Sequence, residues 1–286
     1  IAGKDRGAVL LGGRRADLVL WFDRFAGEFT TSSYYRRPAW LDAFNAKLKK
    51  DALLPRRGER VPKELLATPA MDEATDRLAA ELISRERVGR GLSLDMLMVS
   101  YSGMDLVGHR YGTQSPQMDA ELAAMDAILG GLLRRVKTAS GGDYALAFTA
   151  DHGAIPAPED ADGAKLGVRR KDWLKFRGEL EAELQKEWPM PGAEWIVSYK
   201  MPHISLDRAK ARARGLDWHV FLRRAAKALA RADGVGRALA GADSLELPPS
   251  DPLADALRRS WRADRSGDIL VFMGENILLH DQVPGT

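Results

Sequence analysis

Two pairs of side chains in this sequence have the chemistry of metal ligands. Asp105 and His109 lie four positions apart, a spacing at which two side chains can converge on one ion. Asp151 and His152 are adjacent and precede Gly153. Carboxylate oxygen and imidazole nitrogen are both suitable ligands for Zn²⁺. Because the chain contains no cysteine, His, Asp and Glu must supply the ligands of any metal site.

Each Asp/His pair follows a short apolar segment. Met96–Val99 precedes Asp105, and Tyr144–Ala150 ends directly before Asp151. Apolar runs of this length, bounded by turn-forming residues, predict short buried strands. We therefore expect the two pairs to stand at the carboxyl ends of two strands.

A long amphipathic helix is predicted between these strands. Ser115 is a suitable capping residue, Pro116 suits the first helical position, and the helix should end near Gly141. Its apolar residues recur every three or four positions: Met118, Leu122, Met125, Leu129, Leu132 and Val136. Strand, helix and strand make a βαβ unit, and ligands bind at the carboxyl edge of such sheets. Either pair alone is explained by a capping Asp and a surface His, but their joint placement favours a metal site.

The rest of the chain is predicted to form further helices and strands in three regions. Residues 1–153 are expected to be part of an α/β core, 154–262 a cap or insertion, and 263–286 a return to the core. Predicted helices cover residues 39–49, 71–87, 171–188, 217–232 and 251–261, and predicted strands cover 16–22, 29–35, 195–199, 203–206 and 267–272.

Composition excludes several classes of protein. The chain has 286 residues, 45% of them hydrophobic, and no apolar run near the length needed to span a membrane. Its 43 basic and 40 acidic residues give no reason to expect nucleic acid. A basic run between Arg208 and Arg231 is interrupted by acidic residues and is interpreted as a solvated helix face. Ser100 and Ser102 lack the surroundings of a serine-hydrolase nucleophile.

The residues around the two pairs resemble the alkaline phosphatase superfamily. Ser-Tyr-Ser-Gly-Met-Asp105-Leu-Val-Gly-His109 and Thr-Ala-Asp151-His152-Gly are most similar to its type I phosphodiesterase/nucleotide pyrophosphatase-like branch. Lys4-Asp-Arg6 looks more narrowly like bacterial single-domain alkaline phosphatases with a threonine nucleophile. The resemblance implies an α/β three-layer sandwich with a mostly parallel sheet and a cap, and a periplasmic or extracellular location.

The resemblance also implies a site with two zinc ions and six protein ligands. Asp105 and His109 would bind one ion, and Asp151 and His152 the other. Two metals about 4 Å apart clamp the attacking and leaving oxygens of an in-line phosphoryl transfer. Lys4 and Arg6 would bind the phosphate oxygens and favour a dianionic monoester. From the residues alone, Lys4 and Arg6 are better explained as surface bases that flank Asp5 in a local ion pair.

The sequence departs from the family pattern at both ends. An Asp ligand and the Thr nucleophile usually precede the Lys/Arg motif, but only three residues precede Lys4. The last ligand, a His, usually follows a Gly-Thr such as the one at Gly285-Thr286, and His280 does not match it; we interpret His280 as a loop residue. We therefore expect part of a larger enzyme, with four ligands and no activity of its own.

The predicted function is that of a zinc-dependent phosphomonoester hydrolase acting through a phospho-threonine intermediate on a small-molecule phosphate ester. Lys4 and Arg6 favour this function over the alternative within the superfamily, a phosphodiesterase or nucleotide pyrophosphatase. A third hypothesis is a non-catalytic metal- or phosphate-binding module.

Overall fold

The chain is divided into two compact units. A computed structural model describes residues 1–57 and 60–280. Contacts between residues separate Ile1–Asp162 from Gly163–Thr286, so the division falls near the start of the region predicted as a cap or insertion. The predicted extent of a cap, 154–262, and of a return to the core after it stays a prediction. The described helices include none whose length and apolarity suit a membrane span.

The first unit consists mainly of helices. β1 and β2 pair as an antiparallel hairpin, with Trp21 opposite Thr30. The predicted helices at 39–49 and 71–87 are confirmed to within two residues at each end. The elements of this unit are α1 (Asp5–Gly12), β1 (Trp21–Asp23), β2 (Glu28–Thr30), α2 (Leu41–Lys50), α3 (Lys63–Leu66), α4 (Pro69–Arg85), α5 (Gly103–Tyr111) and α6 (Pro116–Ala139).

The core of the first unit forms where α2 and α4 pack near the hairpin. Helical spacing places apolar side chains of both helices on their buried faces. Phe29 is fully buried at the centre of this core. Asn45 is also buried, and its side chain exchanges two hydrogen bonds with the backbone of Phe29, at 2.9 and 2.8 Å. The main buried apolar residues of the two helices are Leu41, Phe44, Leu48, Met71, Leu78 and Leu82.

The first residues of the chain lie extended between two other segments. Ala2 forms parallel bridges with Trp21 on one side and Ser100 on the other. The backbone N–H of Gly3 donates to Ser100 at 3.3 Å. A Cβ on Gly3 would lie only 2.9 Å from the Cβ of Ser102, so glycine permits this close approach. The pairing places Lys4 beside the start of α5.

The two strands predicted before the Asp/His pairs are not formed by the described residues. Within 96–100 only Ser100 makes a bridge, and 144–150 is extended without strand pairing. Phe148 is 75% exposed. An apolar run becomes a strand only where a neighbouring backbone satisfies its N–H and C=O groups, and these segments pair with no described strand. The helix predicted between them is confirmed as α6, with Ser115 Oγ accepting the N–H of Met118 at 3.1 Å.

The second unit contains an antiparallel sheet and a short parallel pair. The four-stranded sheet has the order β4-β5-β7-β6, and β3 pairs with β8 in parallel. The short helix α7 straddles the division between the units. The elements are α7 (Ala161–Lys165), β3 (Arg169–Asp172), α8 (Trp173–Glu187), β4 (Ile196–Lys200), β5 (His203–Leu206), α9 (Arg208–Ala213), α10 (Trp218–Leu229), β6 (Val235–Ala240), α11 (Ala254–Ser260), β7 (Ile269–Met273) and β8 (Ile277–His280).

Most of these elements agree with the predictions, but three strands, β3, β6 and β8, were missed. β6 has the sequence Val-Gly-Arg-Ala-Leu-Ala, in which a single β-branched residue gives little strand propensity. β8 ends at His280, so the interpretation of His280 as a loop residue is wrong. Its backbone pairs with Asp172 of β3, a long-range partner that local sequence does not reveal. Gly285-Thr286 lies outside the described residues.

The core of the second unit is formed by α8 and α10 with the four-stranded sheet. Trp195 is fully buried among these elements, and its indole N–H donates to the carbonyl of Trp188 at 2.9 Å. Arginines of the predicted basic run are engaged in ion pairs, as Arg223 with Asp243 shows. The principal buried helix residues are Phe176, Leu180, Leu184, Phe221, Ala225 and Leu229.

Candidate metal and phosphate site

The first Asp/His pair lies on a helix. Asp105 and His109 occupy successive turns of α5, so their side chains lie on the same face. The Nε2 of His109 is 3.3 Å from Oδ1 of Asp105. α5 ends at Gly112, whose φ of 88° lies in the left-handed region that favours glycine. The predicted spacing thus brings the two side chains together.

The second pair reaches the same carboxylate. Nδ1 of His152 is 2.8 Å from the carbonyl oxygen of Gly153. Because a carbonyl only accepts hydrogen bonds, Nδ1 is the donor in this contact, and Nε2 is the ring nitrogen that faces the two aspartates. Nε2 lies 3.6 Å from Oδ2 of Asp151 and 3.9 Å from Oδ1 of Asp105. The two pairs, 46 positions apart in sequence at their aspartates, therefore converge on Asp105.

Lys4 contacts the same site from α1. It is the N-cap residue of that helix, and its ammonium forms an ion pair with Oδ2 of Asp105. The hydrogen bond from His109, opposed by partial burial and reinforced by Lys4, holds the pKa of Asp105 well below its usual range. The partner of Lys4 is thus Asp105, whereas the alternative interpretation from sequence placed it near Asp5.

The structure does not bring Arg6 into this group. Arg6 lies in the first turn of α1, and its backbone N–H donates to the side chain of Asp5 at 2.8 Å. Among the residues that the structure describes, no hydrogen bond or ion pair engages its guanidinium. Its predicted role in binding phosphate stays a prediction.

The donor atoms fit a zinc ion in type. Two imidazole Nε2 atoms lie within 3.9 Å of one carboxylate oxygen, and nitrogen and oxygen are the donors that zinc accepts in the absence of thiolates. Within residues 1–57 and 60–280, however, no three such side chains are arranged as a ready metal cage.

Two buried acids next to this site were not predicted from sequence. Asp72 of α4 and Glu121 of α6 are both fully buried. Asp72 accepts hydrogen bonds from the backbone N–H groups of residues 102, 103 and 104, where α5 begins. In sequence both acids look like ordinary solvated residues of amphipathic helices, and no local signal distinguishes them.

The fold is that of an alkaline phosphatase. The crystal structure of wild-type alkaline phosphatase PafA matches with a TM-score of 0.82 over 98% of this chain and 61% of that chain, at 22% identity. This match confirms the predicted α/β fold class. The family model for type I phosphodiesterase / nucleotide pyrophosphatase matches residues 2–282. The chain belongs to this family, as the resemblance in its two Asp/His motifs indicated.

Several curated proteins are similar along nearly the whole chain. Alkaline phosphatase PhoV of Synechococcus elongatus is 24% identical over 94% of this chain and 56% of its own length. Alkaline phosphatase PhoD of Zymomonas mobilis is 23% identical over 96% of this chain and 53% of its own length. Alkaline phosphatase PafA of Elizabethkingia meningoseptica is 23% identical over 99% of this chain and 59% of its own length. The chain spans little more than half the length of these relatives.

Proposed function

We propose that this chain supplies the metal- and phosphate-binding part of a zinc-dependent phosphomonoester hydrolase that acts through a phospho-threonine. The observation that supports it is the convergence of His109, His152 and Lys4 on Asp105. Membership of the type I phosphodiesterase / nucleotide pyrophosphatase family and similarity to several alkaline phosphatases support phosphoric-ester hydrolysis as the reaction class.

In this proposal the two Asp/His pairs hold two metal ions. Asp105 and His109 bind one zinc, and Asp151 and His152 the other. Zinc supplies Lewis acidity, which lowers the pKa of the nucleophile and stabilises the leaving oxygen. The proton on Nδ1 of His152 keeps its Nε2 available as a ligand.

Lys4 has two roles in the proposed site. Without metal its ammonium neutralises Asp105. When Asp105 binds metal, that ammonium becomes available to donate to a non-bridging oxygen of the phosphate. Arg6 is proposed to add a second cation from the first turn of α1, which requires its exposed guanidinium to turn toward the substrate.

The 286 residues alone are proposed to be inactive. The two Asp/His pairs provide four ligands, whereas the resemblance implies six and a threonine nucleophile. We propose that these act within a longer protein, located in the periplasm or outside the cell, on a small-molecule phosphate ester.

The test is metal analysis and phospho-enzyme trapping on the full-length protein. We expect two zinc ions per chain and, after acid quenching with a phosphomonoester, a phosphothreonine detected by mass spectrometry. Fewer than two zinc ions would overturn the proposed metal site. Metal binding without turnover of any phosphate ester would instead support the non-catalytic binding module.

The family description also favours a second candidate, a phosphodiesterase or nucleotide pyrophosphatase. The two functions differ in the charge that Lys4 and Arg6 must balance, since a monoester dianion carries more charge than a diester. In the full-length protein, K4A/R6A should lower kcat/KM for a monoester about a hundredfold more than for a diester. Arg15→Ala, an exposed arginine just after α1, is the matched control. An equal loss for both substrates would favour the phosphodiesterase.

A further inference from the structure

Two buried carboxyl groups face the start of α5 from the helices on either side of it. Asp72 lies in the first turn of α4, and Glu121 lies in α6; neither is accessible to solvent. Oδ1 of Asp72 accepts the N–H groups of Ser102 and Gly103, both at 2.8 Å, and Oδ2 accepts that of Met104 at 3.4 Å. One side chain thus satisfies three consecutive N–H groups that a helix start leaves without intrahelical partners.

Both carboxyl groups lie against the same glycine. A Cβ on Gly103 would stand 3.0 Å from Oδ2 of Asp72 and 3.2 Å from Oε1 of Glu121. These distances show that the two carboxyl groups meet at the Cα of Gly103. The absence of a side chain at this position therefore leaves the space that the acids occupy.

The carboxyl group of Glu121 receives no hydrogen bond from the part of the chain that the structure describes. Among the described residues neither of its buried oxygens has a partner, and two ionised carboxylates side by side would repel each other at a buried site. Burial first, and the charge of Asp72 second, raise the pKa of Glu121 to about 7. Burial also raises the pKa of Asp72. One proton between the two groups provides the missing donor and removes the repulsion.

We propose that Asp72 and Glu121 share a proton and act as positioning residues, holding the first turn of α5 so that Asp105 and His109 are placed for metal binding. Asp105 directly follows Met104, whose N–H is the last of the three that Asp72 accepts. A displacement of this turn therefore moves the carboxylate of Asp105 directly. His109 moves with it because it is on the same helix. The metal-binding part of this inference rests on the proposed function, whereas the anchoring of α5 does not.

The first measurement is hydrogen exchange in the metal-free full-length protein. Asp72→Ala removes the acceptor, and we expect the amides of residues 102–104 to exchange about tenfold faster or more, with α6 amides unchanged. Glu121→Gln keeps a donor for Asp72 without needing a shared proton, and should retain the protection. Asp119→Asn, an exposed acid on the same helix as Glu121, is the control.

Asp72→Asn decides the outcome if Asp72→Ala does not fold. Its single carbonyl oxygen can accept from Ser102 and Gly103 but leaves Met104 with a poorer acceptor, so the change should be largest at residue 104. Exchange that is unaltered at 102–104, or accelerated equally throughout the protein, would overturn the proposal.

The second measurement is zinc affinity by chelator competition. The Asp72 variant that folds should bind zinc about tenfold more weakly than the wild-type protein, and Glu121→Gln should bind it as the wild type does. If a variant whose amides at 102–104 exchange faster binds zinc with wild-type affinity, the proposed positioning of Asp105 and His109 is wrong. If the wild-type protein itself binds no zinc, the proposed function fails while the exchange result still tests the anchoring of α5.

Discussion

Asp105 is the residue on which the candidate site depends, because the ammonium of Lys4 and a metal ion would compete for its carboxylate. Lys4 contacts Oδ2, and the imidazoles of His109 and His152 approach Oδ1. A metal ion and an ammonium would both draw on the negative charge of the same carboxylate. Removal of the ammonium should therefore strengthen metal binding even though it weakens phosphate binding.

Lys4→Met tests this competition. The Lys4–Asp105 ion pair is partly exposed, and such pairs contribute up to about 1 kcal/mol. We expect zinc affinity of the full-length protein to rise about two- to fivefold, measured by chelator competition, while phosphomonoesterase activity falls. Lys4→Arg keeps the charge and serves as the control. A weaker affinity in Lys4→Met would show that Lys4 assists metal binding.

Glu121 predicts a pH dependence of stability with a definite sign. The pKa of Glu121 rises from 4.5 to about 7 on folding, so the folded state retains a proton that the unfolded chain releases. This contribution is fully present below about pH 4.5 and is lost as the pH rises toward 7. Asp72 faces Glu121 from α4. Tyr101 interacts electrostatically with Asp72, and Asp76 and Arg135 lie beside Tyr101.

Glu121→Gln replaces this titrating carboxyl group with an amide that does not titrate. Relative to the wild-type protein, the variant should gain stability on going from pH 5 to pH 8, by on the order of 2 kcal/mol. Urea unfolding at the two pH values measures the difference. Asp119→Asn should show no such change. A gain of equal size in that control, or none in Glu121→Gln, would contradict the raised pKa of Glu121.

At the scale of the helices, the sequence correctly predicted the features that depend on residues a few positions apart. The cap at Ser115 and the apolar repeat that follows it correctly predicted α6, because capping and helical periodicity involve residues a few positions apart. The spacing of Asp105 and His109 likewise predicted their proximity. The predicted bounds of α2 and α4 lie within two residues of those observed, and those of α10 within three.

Long-range contacts limited the other predictions. The segments 96–99 and 144–150 have strand-like composition. Among the described residues, however, the backbone beside the first segment forms only the bridge between Ala2 and Ser100 at its end, and the second segment has no strand partner. The shared role of Asp72 and Glu121 depends on helices brought together by tertiary packing, and nothing near either residue in sequence signals its burial. The ion pair of Lys4 with Asp105, about a hundred positions away in sequence, was not predicted, because the resemblance to a family implied only that Lys4 binds the phosphate oxygens.

The cap of α6 leads to a prediction for Ser115. Its hydroxyl accepts the N–H of Met118 and donates to the carbonyl of Gly112, both at 3.1 Å. Ser115→Ala should lower the free energy of unfolding by about 1–2 kcal/mol, measured by urea denaturation. Ser115→Asp preserves the capping acceptor and should recover part of the loss. A similar loss in the control Ser93→Ala, at an exposed position, would show that the effect is not due to capping.

At the scale of the whole molecule, each unit has its own hydrophobic core. The hydrophobic core of the second unit consists only of residues after 163, and Trp195 and Phe221 pack against each other within it. The first unit is built around Phe29 and the faces of α2 and α4. Separate cores predict that folding of the second unit does not require the first.

Residues 163–286, produced alone, test this independence. A segment of this length can bury enough apolar surface to fold, and its four-stranded sheet is complete within it. We expect a native-like circular dichroism spectrum and a single cooperative urea transition. Trp195→Ala should remove about 3–5 kcal/mol of stability and abolish or strongly shift that transition, whereas Val197→Ala, at an exposed site on β4, should not. A segment without cooperative unfolding would show that its core needs the preceding residues.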